Sequence, residues 1–409
     1  MNEETGAQAP GYDRPLAGVR VLDLSQGIAG PYCGMLLAQY GAEVIKVEPA
    51  EGDWGRGLGR RVLDQTPISL SANRGKHSIA LDLKTPEGRA LLARLVARAD
   101  VFLENFRPGV ATRLGVGYEA MKAQNPRLIY LSISAFGQQG PRSRQPGSDT
   151  VAQAYSGMMM VNRDAAGTPK ATGFYTADFV TALYGFQAVA MALAARAHEQ
   201  AGRYLDISLI HASAAFLVQK GIEGALEGAA PGKLNAPAGS YRTKDGWIAI
   251  TLTRESHFAS LVQVLGREDL LADARFANFV ARGANSEALV PEIQRALLDR
   301  RTAEWLEALG KADVLCSPIH TVIDFAADAH VGAIGLVAPA ALPGAPAGTP
   351  AIPWIRIPGA VEPAENDERR RWPGIGADAR EILAGALGMA VGEIDALIAA
   401  GAVRAPDRT

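Results

Sequence analysis

The sequence predicts an α/β fold: a doubly wound, mostly parallel sheet, joined to a second, smaller α+β domain. Two observations carry this. Short apolar runs alternate with helix-periodic stretches through the first half of the chain, as β-α-β units require. The texture then shifts to a Gly-, Ala- and Pro-rich stretch followed by a hairpin pattern and helices.

Taken in order, Val19 to Leu24 reads as a short buried strand, Gly27 to Pro31 as a turn, and Tyr32 to Tyr40 as a helix ended by Gly41. Ala42 to Val47 is the next strand and completes a β-α-β unit. Ile79 to Leu83 is a strand, and Pro86 to Ala99 a helix with Pro and Glu in its first turn. Asp100 to Leu103 reads as a strand, Tyr118 to Gln124 as a short helix, and Leu128 to Ser134 as a strand. Ligands are expected at the carboxyl ends of such strands. Asp206 to Leu209 is a further strand, followed by a helix.

Glu223 to Ala238 reads as a linker, giving expected boundaries of 15–222 and 335–409 for the large domain, 223–238 for the linker and 239–334 for the small domain. Gly239 to Ile250 spells two strands around the Asp245-Gly246 turn, and helical patterns fill Ser256 to Gly310. Ala338 to Gly359 carries six prolines, at 339, 343, 346, 350, 353 and 358, so it is expected to be extended. Asp378 to Leu387 and Val391 to Ala399 are helical.

Composition narrows the function classes. Hydrophobic content of 48% and charged content of 21% describe an ordinary globular protein. A net charge of −2 offers no footprint for nucleic acid or an anionic membrane. Cys33 and Cys316 are far apart in sequence, which argues against a disulfide framework or a CxxC metal site and for a reducing, cytoplasmic setting. Met1 to Arg14 lacks the basic start and apolar run of a signal peptide. The longest apolar stretch, Phe179 to Ala195, is short for a membrane span and is closed off by Asp178 and Arg196; a helix buried on all sides is expected.

Widespread catalytic motifs are missing: the sequence has no GxxxxGK[ST], HExxH or GxSxG. Gly55 to Gly59 is glycine-rich but lacks the strand and helix a nucleotide fingerprint needs, and the six histidines show no metal-ligand spacing; His211 reads as a packed or surface residue. Asp178, where a Gly-containing loop meets a long apolar helix, admits two readings. One is a helix N-cap. The other is a nucleophile whose ionised form is favoured by the helix dipole, with nearby N–H groups to hold an oxyanion.

A series of short motifs bears on that choice. It begins with Leu16-Ala17-Gly18-Val19-Arg20-Val21-Leu22-Asp23, Ile28-Ala29-Gly30-Pro31 and Leu37 to Glu48, followed by Gly52-Asp53. Asn73 to Lys84, Asp100 to Gly109, Ser132 to Gly137 and Gly140-Pro141 continue it. Ala177-Asp178, Asp206 to Leu209, Asp245-Gly246 and Pro373 to Gly376 complete it. In number and order these resemble a class III coenzyme A transferase (CaiB/BaiF), the family that includes formyl-CoA:oxalate and carnitine CoA-transferases, over roughly residues 15 to 402.

The resemblance implies a Rossmann-like large domain built from both chain ends, an inserted small domain, and an interlocked homodimer. It implies an acyl-CoA:carboxylate CoA-transferase in which Asp178 passes through an aspartyl anhydride and an aspartyl-CoA thioester. Coenzyme A is then substrate and product rather than a bound cofactor, no metal is needed, and the partners are an acyl-CoA donor and a small carboxylate acceptor, with no nucleic acid and no membrane. By position, Ile28 and Ala29 are candidates to meet the thioester arm, with Asn73, Lys76 and Arg113 as candidates for the phosphate end. Asn105, Phe106 and Arg107, with Ser134, Ala135, Phe136 and Gly137, are expected to line the CoA channel.

Departures from the family pattern concern the substrate. Ile28 stands where formyl-CoA transferases place Gln, the Gly-rich lid is missing after Thr251 to Glu255, and Asp378 replaces a late His, so formyl-CoA and oxalate are not the expected substrates. Arg254 and His257 are candidates to contact the acyl group. Two alternatives remain: an α-methylacyl-CoA racemase, disfavoured because Ser148 stands where that enzyme's His base would be, and a non-catalytic acyl-CoA-binding protein.

Overall fold

The computed structural model describes residues 11–164, 166–199, 201–228 and 235–406. These divide into two compact units: one runs to Gln219 and resumes at Ala338, and the other is Lys220–Val337.

The first unit is organised by a seven-stranded sheet. Strands β1 (Arg20–Asp23), β2 (Glu43–Glu48), β3 (His77–Leu81), β4 (Val101–Glu104), β5 (Ile129–Ser134) and β6 (Arg203–Ser208) are joined by the C-terminal strand Val403–Arg404. The spatial order is Val403–Arg404, β3, β2, β1, β4, β5, β6, parallel except for the C-terminal strand, which runs antiparallel to β3. Both ends of the chain therefore build one sheet.

Side chains alternate between its faces. Leu22, Ile45, Phe102 and Tyr130 enter a core covered by the helices Pro86–Val96 and Ala379–Leu387. Val21, Val44, Val101, Leu103 and Leu131 enter the opposite core, covered by the helices Ala29–Gln39 and Thr176–Arg196. Helices on both faces explain why these strands read as unbroken apolar runs.

Thr176–Arg196 is not buried on all sides, as its sequence suggested. Ala177, Ala182, Val189 and Ala192 sit in the core, whereas Leu183 and Met191 are 52% and 61% exposed. By length and apolarity alone the helix passes for a membrane span, yet its small residues form the face that packs on Ala29–Gln39. Gly185 marks the close approach: a Cβ there would stand 3.4 Å from Cys33 Sγ. The other face is left uncovered within this unit.

The Pro-rich segment forms no helix; Val337–Ala340 and Ile352–Ile355 pair as a two-stranded sheet. Leu342 and Trp354 of this segment, with Trp372 beyond it, pack with Met35, Leu36 and Leu70, all within the first unit.

In the second unit, β7 (Gly239–Arg242), β8 (Trp247–Thr251) and β9 (Leu315–Pro318) form an antiparallel sheet over a core that includes Tyr241, Ile248, Phe258 and Trp305. The turn between β7 and β8 is closed by the Thr243 N–H donating to Gly246 O at 3.0 Å. Of the stretch expected as linker, residues 223–227 instead end the helix Val218–Glu227, and 229–234 lie outside the described residues. The Lys220–Glu223 ion pair, 2.7 Å and one turn apart, supports that helix through its glycines.

Candidate active site

In a sheet of this order the strand sequence reverses between β1 and β4, and a crevice opens beyond their carboxyl ends. A cavity of about 620 Å³ lies there. Gln26, Ile28 and Ala29 line it from the turn after β1, Asn105, Phe106 and Arg107 from the loop after β4, and Ser134 and Ala135 from β5 and the loop beyond. Ser148, Asp149, Tyr175 and Asp178 also line it, as does Trp54.

Asp178 is not an N-cap. Tyr175 occupies that position without a side-chain cap, and Asp178 is the third residue of the helix Thr176–Arg196. Its carboxyl faces the cavity rather than the helix's own amides, and its N–H donates to Asp149 Oδ2 at 3.1 Å. Asp149 opens the helix Asp149–Tyr155, and its Oδ1 accepts from Gln153 Nε2 at 2.5 Å. Gln153 in turn accepts the Thr172 N–H at 3.0 Å and donates to Phe174 O at 3.2 Å. This chain of bonds fixes the loop that delivers Asp178. Gly147 is required beneath it, because a Cβ there would meet the Ala135 Cβ at 2.3 Å.

Electrostatics run against the expectation that the helix dipole keeps Asp178 readily ionised. Burial, with the neighbouring Asp149 charge as a smaller cause, pushes the Asp178 carboxyl up to about 7. Two carboxyls sharing one cavity wall, one of them held near neutrality, is a pattern of functional sites rather than of surface caps.

Seven of the twelve CoA-contact candidates line the same cavity as Asp178: Ile28, Ala29, Asn105, Phe106, Arg107, Ser134 and Ala135; Gly137 does not line it but donates its N–H to Ser134 Oγ at 3.0 Å. Asn105 also braces the turn opposite, its Oδ1 accepting the Gln26 N–H at 2.8 Å and its Nδ2 donating to Gln26 O at 2.7 Å. Phe136 does not line the cavity; its ring packs edge-on against Tyr155, 5.4 Å between centroids.

Lys76 and Asn73, expected at the phosphate end, are buried and line neither this cavity nor its neighbour. Lys76 is fully buried, its Nζ 2.6 Å from Asp23 Oδ2 and donating also to Pro31 O and to Asn73 Oδ1. Burial pulls its ammonium down to about 8, with Asp23 opposing. The ammonium is taken up by Asp23 and Pro31 and ties the first helix to β1, and Gly34 makes room, since a Cβ there would stand 2.6 Å from Asp23 Oδ2. Arg113 is exposed at the end of the short helix Val110–Arg113 and does not line the cavity.

A second cavity of about 560 Å³ adjoins the first, sharing Gln26, Trp54 and Phe106, and Arg61 and Lys84 line it. Trp54, Arg61, Lys84, Asp149 and Tyr175 escaped the sequence reading as site residues. Only Asp149 carried a signal, an acid opening a helix after Gly147-Ser148; Trp54 opens a single 3-10 turn and the others sit in loops or at a helix start, where no periodicity marks them. In the second unit, His257 is buried and its Nδ1 accepts the Thr253 N–H at 3.3 Å, so it serves its own helix start, while Arg254 is exposed. Asp378 accepts the Ser78 N–H at 2.7 Å and pairs with Arg371, a structural tie between the C-terminal segment and β3.

A doubly wound sheet with an acid in the crevice at its switch point is the architecture of an α/β protein that binds a small molecule there. Residues 16–379 match CoA-transferase family III. An acetyl-CoA:oxalate CoA-transferase of Acetobacter aceti is 36% identical over 334 residues, covering 80% of this chain and 85% of that protein. A succinyl-CoA:glutarate CoA-transferase of Mus musculus is 32% identical over 402 residues, covering 95% and 90%. The crystal structure of a CaiB/BaiF family protein from Brucella suis agrees with a TM-score of 0.81 at 33% identity, covering 91% of this chain and 100% of that one. The chain belongs to CoA-transferase family III and is an acyl-CoA:carboxylate CoA-transferase.

Proposed function

We propose that Asp178 is the nucleophile that carries CoA between carboxylic acids. The supporting observation is its carboxyl in the switch-point cavity, beside Asp149 and on a wall shared with Ile28, Ala29 and Asn105. An Asp178 carboxylate oxygen attacks the acyl-CoA carbonyl carbon, the C–S bond breaks, and CoA leaves as thiolate from a mixed anhydride. The thiolate then attacks the aspartyl carbonyl; the C–O bond to the donor acid breaks, leaving an aspartyl-CoA thioester. An acceptor carboxylate runs the two steps in reverse and returns Asp178 as carboxylate. No proton or electron is gained or lost, and the thioester free energy is kept throughout.

CoA spans the two adjoining cavities in this reading: the thioester arm lies near Ile28 and Ala29, and the phosphate end lies toward Arg61 and Lys84, which replace Lys76 in that role. CoA is bound only as substrate and product. The acids are small carboxylates, with succinate and glutarate as first choices; the relative named for oxalate keeps oxalate in the panel despite Ile28. The uncovered apolar face around Leu183 and Met191 supports a homodimer, and the free thiols of Cys33 and Cys316 fit a reducing cytoplasm.

The test mixes the enzyme with one acyl-CoA at a time and a pool of free carboxylic acids, and follows CoA esters by mass spectrometry. New esters without net hydrolysis, lost in Asp178→Ala, are expected. Undiminished transfer by Asp178→Ala would overturn the assignment of the nucleophile. Exchange of the α-proton into deuterated water without new esters would support the racemase, although Ser148 stands on the cavity wall where a base is needed.

A further inference from the structure

Asp53 lies on the wall of the second cavity but not of the one that holds Asp178, and it ties two pieces of the latter's wall together. Its Oδ1 accepts the Gly27 and Gly55 N–H groups, both at 2.8 Å. Its Oδ2 lies 2.9 Å from Lys46 Nζ, with the two side chains 2% and 1% exposed. Lys46 Nζ also donates to Ser25 O at 2.8 Å. A single buried ion pair thus grips the backbone on both sides of Gln26, which Asn105 already holds by its own N–H and C=O.

The same carboxylate locates Trp54. Gly27 has φ +79°, and a Cβ there would stand 2.0 Å from the Trp54 indole, so the ring lies directly on the turn. Trp54 and Ile28 both face the cavity. Burying two charges is costly, and such a pair is weak evidence for stability by itself. Here its bonds go to the Gly27 N–H and Ser25 carbonyl of the turn and to the Gly55 N–H beside Trp54.

We propose that Asp53 is a positioning residue for CoA transfer: its carboxylate, itself held by Lys46, locks the Ser25–Ile28 turn and the Trp54 indole into one rigid wall opposite Asp178. This rests on the reading of Asp178 as nucleophile. In this reading the CoA ester is held along two cavities, of which Asp53 and Trp54 contribute only one edge, whereas the reacting carbonyl is placed by this wall. Loosening the wall therefore lowers kcat and leaves KM nearly unchanged, since displacements of about 1 Å cost about 100-fold in rate.

The test compares two double variants, each free of a stranded buried charge. Lys46→Met with Asp53→Asn keeps an acceptor for the Gly27 N–H; Lys46→Met with Asp53→Ala removes it. The Asn-containing enzyme is expected to turn over at least ~10-fold faster at saturation, with KM for the acyl-CoA within about threefold in both and the same folded fraction by circular dichroism. Equal kcat per folded enzyme, or a difference carried by KM alone, would overturn the proposal. Asp178→Ala, assayed alongside, keeps the two readings apart: transfer surviving that change refutes the nucleophile, whereas equal kcat in the double variants refutes the positioning role alone.

Discussion

Only the ionised form of Asp178 can attack a thioester, so its surroundings set the pH dependence of transfer. Moving a carboxyl from 3.8 to about 7 corresponds to about 4 kcal/mol opposing ionisation. About one site in ten is then ionised at pH 6 and about nine in ten at pH 8. With a cognate acyl-CoA, kcat/KM should fall about tenfold per pH unit below 7 and level off above about 8. Asp149→Asn keeps an acceptor for the Asp178 N–H but removes the like charge, so the Asp178 carboxyl drops and the acid limb moves to lower pH. The move is partial, because burial is the larger cause. The assay is chromatography of CoA esters from pH 5 to 8.5 at constant ionic strength. A wild-type limb below pH 5, or a limb that Asp149→Asn leaves in place, would refute this account of the site.

The same shift links to stability. The folded state holds the Asp178 proton between pH about 4 and 7 while the unfolded chain has lost it, so stability falls as pH rises through that window. Asp178→Asn, free of that penalty, should therefore stabilise by about 2–3 kcal/mol more at pH 8 than at pH 5 in urea unfolding; an equal gain at both would contradict the burial of the acid. Lys76→Met strands Asp23 in the core and should cost about 3–5 kcal/mol, with KM for the acyl-CoA within about twofold in the folded enzyme; a tenfold rise in KM would reinstate Lys76 as a phosphate ligand. For the homodimer proposed above, Leu183→Arg with Met191→Arg should lower the sedimentation coefficient toward that of a single chain, and a value unchanged from the parent protein would remove this helix face from the proposed interface.

Much was legible in the chain because it is local. Apolar runs at β1 to β5, the Asp245-Gly246 turn, the prolines after Ala338 and the acid at the head of the long apolar helix are all properties of neighbouring residues, and their geometry follows from spacing. Residue types in order likewise carried the resemblance to class III CoA-transferases. Charges were harder to read. Lys76 and Arg61 are both basic residues near loops, and spacing cannot tell which is buried against Asp23 and which lines a cavity. Asp53 shows the same limit, since its partners Lys46 and Gly27 meet it only when β2 and the turn after β1 are laid side by side. The ionisation of Asp178 was decided in the same way. Sequence places it near a helix dipole, but burial and Asp149, 29 positions away, set its proton affinity. Elements are written by local periodicity; the environment of a charge is written by whatever the fold packs around it.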